Sequence, residues 1–158
     1  MNKDKMKVKS TRLELQWEVE EAEIIHFPKG LPGFVDETRF VLLPGEAGSP
    51  FVFMQSVTEP DLTFITVEPF AFFKDYEFTL DDQIVTELEI SGEQPPQIFN
   101  IVTIPEQAEQ MTANLLAPVI INPVKKTGQQ IVLEKVGYTT RHRLFPNGFP
   151  KAETKGGR

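Results

Sequence analysis

Residues 39–67 read RFVLLPGEAGSPFVFMQSVTEPDLTFITV. Three runs rich in Phe, Val, Ile and Leu stand out: Arg39–Leu43, Phe51–Ser56 and Leu62–Val67. Turn residues separate them, first Pro44-Gly45 and Gly48-Ser49-Pro50, then Glu59-Pro60-Asp61. Short β-prone runs punctuated by Gly, Pro and Asp predict strands joined by tight turns, the pattern of an all-β barrel or sandwich.

Upstream, Leu13, Leu15, Trp17 and Val19 alternate with Arg12, Glu14, Gln16 and Glu18. Period two predicts a half-buried strand over Thr11–Val19. Ile24–Phe27 reads as a second short strand. Pro28-Lys29-Gly30-Leu31-Pro32-Gly33-Phe34 follows. Pro fixes φ and Gly permits positive φ, so this is a shaped turn with Leu31 and Phe34 as apolar plugs.

Downstream, Glu68–Phe73 begins near a Pro and belongs on an edge or a connection. Lys74–Phe78 reads as extended. Asp81–Leu88 predicts a helix, with carboxylates where the dipole favours them and Ile84, Val85 and Leu88 on one face. Gln97–Ile104, Thr112–Leu116, Val119–Asn122, Gln129–Leu133 and Tyr138–Arg143 read as strands. Glu106–Gln110 reads as a helical turn or bulge. The expected architecture is all-β, mainly antiparallel: one small barrel-like domain at 10–145 with one or two short helices. Residues 1–9 read as a flexible basic N-terminus and 146–158 as a disordered tail.

The chain has 158 residues, enough for one domain with a real core. It has no cysteine, which excludes disulfides, zinc-thiolate sites and a thiol nucleophile. No apolar stretch nears the ~20 residues of a membrane span, and no signal-type run follows the basic start. These features predict a cytoplasmic protein. The net charge is −7; with +3 in residues 1–9 and +2 in 150–158, the body between carries −12. Such a body disfavours direct nucleic-acid binding and attracts basic partners. It also serves solubility alone.

Catalytic motifs are absent. His26 lies in an apolar run, and His142 sits between Arg141 and Arg143, a poor context for a general base. Ser10, Ser49, Ser56 and Ser91 form no nucleophile elbow, and no Gly-rich phosphate loop is present. Asp81-Asp82 suits helix capping better than a hard cation. No cofactor is expected. Paired acids inside a barrel, as in a glycoside hydrolase, stay open as an alternative. So does a small-ligand carrier with a closed apolar cavity. A filled interior would count against both. The clustered Phe70, Phe72, Phe73, Tyr76 and Phe78 suit either a core segment or a binding anchor.

Five segments in order carry a resemblance. They are residues 25–34 (IHFPKGLPGF), 55–62 (QSVTEPDL), 72–78 (FFKDYEF), 114–122 (NLLAPVIIN) and 138–142 (YTTRH). Together the chain resembles the FliW family of flagellar assembly factors over roughly residues 10–144. Members commonly close near Arg-His-Pro-Leu; Arg143 stands in place of that Pro. The resemblance implies a β-barrel-like fold and a protein, monomeric when free, that binds flagellin and the RNA-binding translational regulator CsrA. Free protein holds CsrA and lifts its repression of flagellin translation; accumulated flagellin displaces it. For the contacts, Glu59, Asp61, Lys74, Asp75, Tyr76 and Glu77 are candidates, with the acidic groups steering and Tyr76 anchoring.

Overall fold

A computed structural model describes residues 5–149. Among the described residues eleven strands are formed: β1 Lys5–Ser10, β2 Leu15–Glu20, β3 Ile25–His26, β4 Arg39–Pro44, β5 Phe51–Ser56, β6 Thr63–Val67, β7 Gln97–Thr103, β8 Thr112–Ala113, β9 Val119–Asn122, β10 Thr127–Gln130 and β11 His142–Arg143. One α-helix, α1, spans Asp82–Glu87. Short 3-10 turns lie at Glu21–Glu23, Pro69–Ala71 and Ala108–Gln110.

The central meander β4-β5-β6 pairs antiparallel as its sequence pattern predicts. The sheet runs β7-β6-β5-β4-β3-β10-β9 and closes on itself because β9 also pairs with β7. This is a seven-stranded barrel, antiparallel at every ring contact except β3 with β10. β8 and β11 extend the sheet beyond β7.

Its interior is filled. Ile25, Phe27, Leu31, Phe40, Val52, Met54, Phe99, Val119 and Ile121 pack as one cluster. Phe27 and Phe40 meet edge to face at 5.5 Å. Burying each such side chain stabilises the fold by about 1.5–3 kcal/mol. Leu31 is 1% exposed and plugs the barrel, as its loop predicts. Gly30 shapes that loop: its φ is +63, and a Cβ there would lie 2.4 Å from Val35 O. Phe34 stays half outside but rests on Phe64, with centroids 5.6 Å apart.

The N-terminal expectation needs correction. Lys5–Ser10, assigned above to a flexible terminus, forms β1 and pairs with β2. Val8 is fully buried with Val19, Ile24 and Val41. Lys5, Lys7 and Lys9 face outward opposite Glu20, Glu18 and Gln16. The basic run is thus one face of a hairpin with an acidic partner strand. Thr11–Glu14, expected as strand, forms the hairpin turn, with Glu14 at φ 54. Within the expected tail, Gly148 N–H donates to Phe145 O (3.0 Å), and Phe149 meets Phe145 edge to face at 4.8 Å. The rest of that tail, from residue 150, and residues 1–4 lie outside the described residues.

Candidate partner-binding surface

The turn between β5 and β6 is shaped from inside. Gln55 is fully buried, and its Nε2 donates to Ser56 O (3.2 Å), Glu59 O (3.2 Å) and Pro60 O (3.4 Å). Its Oε1 accepts from Thr63 Oγ1. Ser56 Oγ accepts from the N–H groups of Thr58 (3.2 Å) and Glu59 (2.9 Å) and donates to Glu37 Oε1 at 2.7 Å. Thr11 N–H donates to Pro60 O (3.0 Å), tying the β1–β2 hairpin to this turn. The QSVTEPDL segment therefore encodes a rigid corner. Its outer face presents Glu59 and Asp61, both exposed, with Asp61 N–H donating to Glu59 Oε2 (3.2 Å).

The second candidate segment follows β6 at its other end. Expected as extended, it turns instead: Phe73 N–H donates to Pro69 O (2.8 Å) and Tyr76 N–H to Phe73 O (3.1 Å). Lys74, Asp75 and Glu77 face solvent. Tyr76 does not, and its proposed role as a surface anchor is corrected. It is 4% exposed, packed with Val67, Leu115 and Leu144. Its hydroxyl donates to Leu115 O (2.7 Å) and accepts from Asn100 Nδ2 (3.2 Å). Burial pushes the Tyr76 phenol up to about 12; the Asn100 bond opposes this and Tyr138 adds to it. The Tyr138 ring lies 4.8 Å away, and Tyr138 Oη accepts from Glu77 N–H at 3.0 Å.

The two groups of candidates are not brought together. They lie at opposite ends of β6, whose five residues span roughly 17 Å. The stretch 75–93 extends the acidic surface beyond the candidates Asp75 and Glu77. It holds Asp75, Glu77, Asp81, Asp82, Glu87, Glu89 and Glu93 with no Lys or Arg, a count visible in the sequence. All seven are exposed. Lys29 and Lys125 meet only Glu87 (3.2 Å) and Glu89 (3.5 Å). Hydrogen bonds from Gln83 and then Lys29 hold the Glu87 carboxyl below its ordinary range. Asp81 occupies the N-cap position of α1 without a side-chain capping bond.

The histidines have structural surroundings. His26 N–H donates to Lys126 O (2.9 Å), and its ring is half exposed near Glu21. His142 Nε2 accepts from Thr139 N–H at 2.9 Å. The NLLAPVIIN segment is likewise a pair of turn devices. Asn114 Oδ1 accepts from Leu116 and Ala117 N–H, and Asn122 Oδ1 from Val124 and Lys125 N–H. Among the described residues, no helix is long and apolar enough to cross a membrane.

A filled barrel whose acids stand on hydrogen-bonded surface turns defines a compact all-β module that presents its chemistry outward. Residues 7–144 match the model of the FliW protein family. A flagellar assembly factor FliW of Desulfitobacterium hafniense is 49% identical over 152 residues, covering 96% of this chain and 99% of that one. The Bacillus subtilis flagellar assembly factor FliW is 46% identical over 134 residues, 85% of this chain and 94% of its own. A crystal structure of the flagellar assembly factor FliW superimposes with a TM-score of 0.84 at 41% identity, covering 89% of this chain and 98% of that one. The chain belongs to the FliW family of flagellar assembly factors.

Proposed function

We propose that this protein is a cytoplasmic partner switch, not an enzyme. It is a monomer when free, binds flagellin and binds CsrA, and so relieves CsrA repression of flagellin mRNA translation. The observation that carries this reading is the exposed acidic surface on a filled barrel of this family. A regulator that holds RNA must carry basic surface, and an acidic body complements it. Long-range attraction between such surfaces speeds encounter and weakens with salt. No covalent step is needed, since two partners sharing one protein exchange by mass action. The filled interior counts against a carrier cavity or an acid pair inside the barrel.

A reconstituted translation system tests the reading. With CsrA repressing a flagellin message, added protein restores translation, and added flagellin reverses that effect. Repression indifferent to the protein would overturn the proposal.

A further inference from the structure

β10 is paired unequally along its two sides. Toward β9 the pairing runs past Gln130: Ile131 N–H donates to Pro118 O (3.0 Å) and Leu133 N–H to Leu116 O (2.8 Å). Toward β3 it stops at Thr127 opposite His26. The chain reaches Pro28 two residues later, and proline has no N–H to continue a ladder. Alternate residues of a strand direct their N–H and C=O groups to opposite neighbours. Ile131 and Leu133 turn theirs toward β9. Gln130 and Val132 therefore direct theirs the other way, where no described residue gives a backbone partner. This is an open strand edge.

Two clefts meet along it. One, of about 690 Å³, runs beside residues 129–136 and is walled by Phe78, Asp81 and Ile84. The other, of about 730 Å³, lies at the barrel mouth against Leu31, Phe64 and Ile101. The second touches the strand only at Gln130 and Val132, which also line the first. Val132 is 65% exposed. Asp81 and Glu134 line the first cleft together with Lys135, and Arg141 lines the second. Asp81 belongs to the 75–93 stretch, which carries seven exposed carboxylates and no Lys or Arg.

We infer that Gln130–Val132 is a strand-addition site for an extended, basic segment of a partner protein. The added backbone pairs with the open N–H and C=O groups. Side chains on an extended strand alternate between faces, so apolar ones enter the barrel mouth and basic ones meet Asp81 and Glu134, with the acidic 75–93 stretch beyond. This deepens the reading of the chain as a partner-binding protein and rests on it.

The test uses the full chain and a blocked peptide of alternating lysine and valine, about eight residues long. Amide hydrogen exchange and NMR titration should show protection of the Gln130 and Val132 amides on binding. Val132→Pro removes the outward N–H at an exposed position and should weaken binding about tenfold or more, whereas Val132→Ala, which keeps that N–H and trims the same side chain, should weaken it less. A peptide with N-methyl groups on alternate amides should lose binding to the unaltered chain, independently of how that variant folds. Binding should also weaken with salt. Unprotected amides, undiminished binding by Val132→Pro or by the methylated peptide, or no peptide binding would each overturn the proposal. So would a concentration-dependent dimer that Val132→Pro dissolves, since the edge would then serve a second copy. If the peptide fails while CsrA still binds, the strand edge is wrong and the partner-binding reading survives; if both fail, both fall.

Discussion

The Tyr76 hydroxyl donates to the Leu115 carbonyl at 2.7 Å, joining the turn after β6 to the connection between β8 and β9. That bond makes Tyr76 a bolt beneath an acidic surface and leaves Asp75 and Glu77 as the exposed part of the segment.

Tyr76→Phe should therefore cost about 1–2 kcal/mol of stability, because Leu115 O and Asn100 Nδ2 each lose a buried partner. Urea unfolding measures this. Affinity for CsrA, referred to folded protein, should not change. Weakened binding by a fully folded variant would return Tyr76 to the role of anchor.

The same residue gives an alkaline signature. The folded phenol titrates near 12, above the ordinary value of 10.0. Below pH 10 both folded and unfolded chains keep the proton and the contribution is complete. As pH rises toward 12, the unfolded chain loses its proton first and stability falls. The stability gap between the native chain and Tyr76→Phe should narrow across that window. Denaturation midpoints at pH 9 and about pH 11 decide it; an unchanged gap would mean the phenol is not held protonated.

Gly128 faces the barrel interior, where an added Cβ would lie 2.7 Å from two ring atoms of Phe27. Phe27 is fully buried and cannot step aside freely. Gly128→Ala should cost about 1–3 kcal/mol by overpacking. A thermal melt checks it, and an unshifted midpoint would show that the ring has room.

Much of the barrel was legible in local pattern. β4, β5 and β6 fall on apolar runs bounded by Gly and Pro, and α1 on a short amphipathic stretch behind Asp81. Closure was not, because the β7–β9 and β3–β10 pairings join residues far apart in sequence. β1 is masked by its charge: the lysines read as a solvated terminus, although Met6 and Val8 alternate with them at strand period. The hairpin turn at Thr11–Glu14 interrupts an alternation that gives no sign of it. For Tyr76, alternation of aromatic and charged residues reads alike for a core turn and a surface anchor. Glu59 and Asp61 were placed correctly on an exposed turn, but their distance from Asp75 and Glu77 depends on which end of β6 each turn caps.

That separation predicts how charge reversals combine. Asp61→Lys and the double change Asp75→Lys with Glu77→Lys alter exposed groups and should leave the melting curve nearly in place. Each should weaken CsrA binding, more at low salt than at high salt. Because the two turns lie at opposite ends of β6, their effects should add. Folded variants with native affinity would remove these residues from the interface. A strongly non-additive triple variant would mean that one partner group spans both turns.

The most direct measurement is calorimetric titration of the purified protein with CsrA, alone and with flagellin present. The account predicts binding to CsrA that flagellin weakens. No binding to either protein, or CsrA binding that flagellin leaves untouched, would contradict the partner switch.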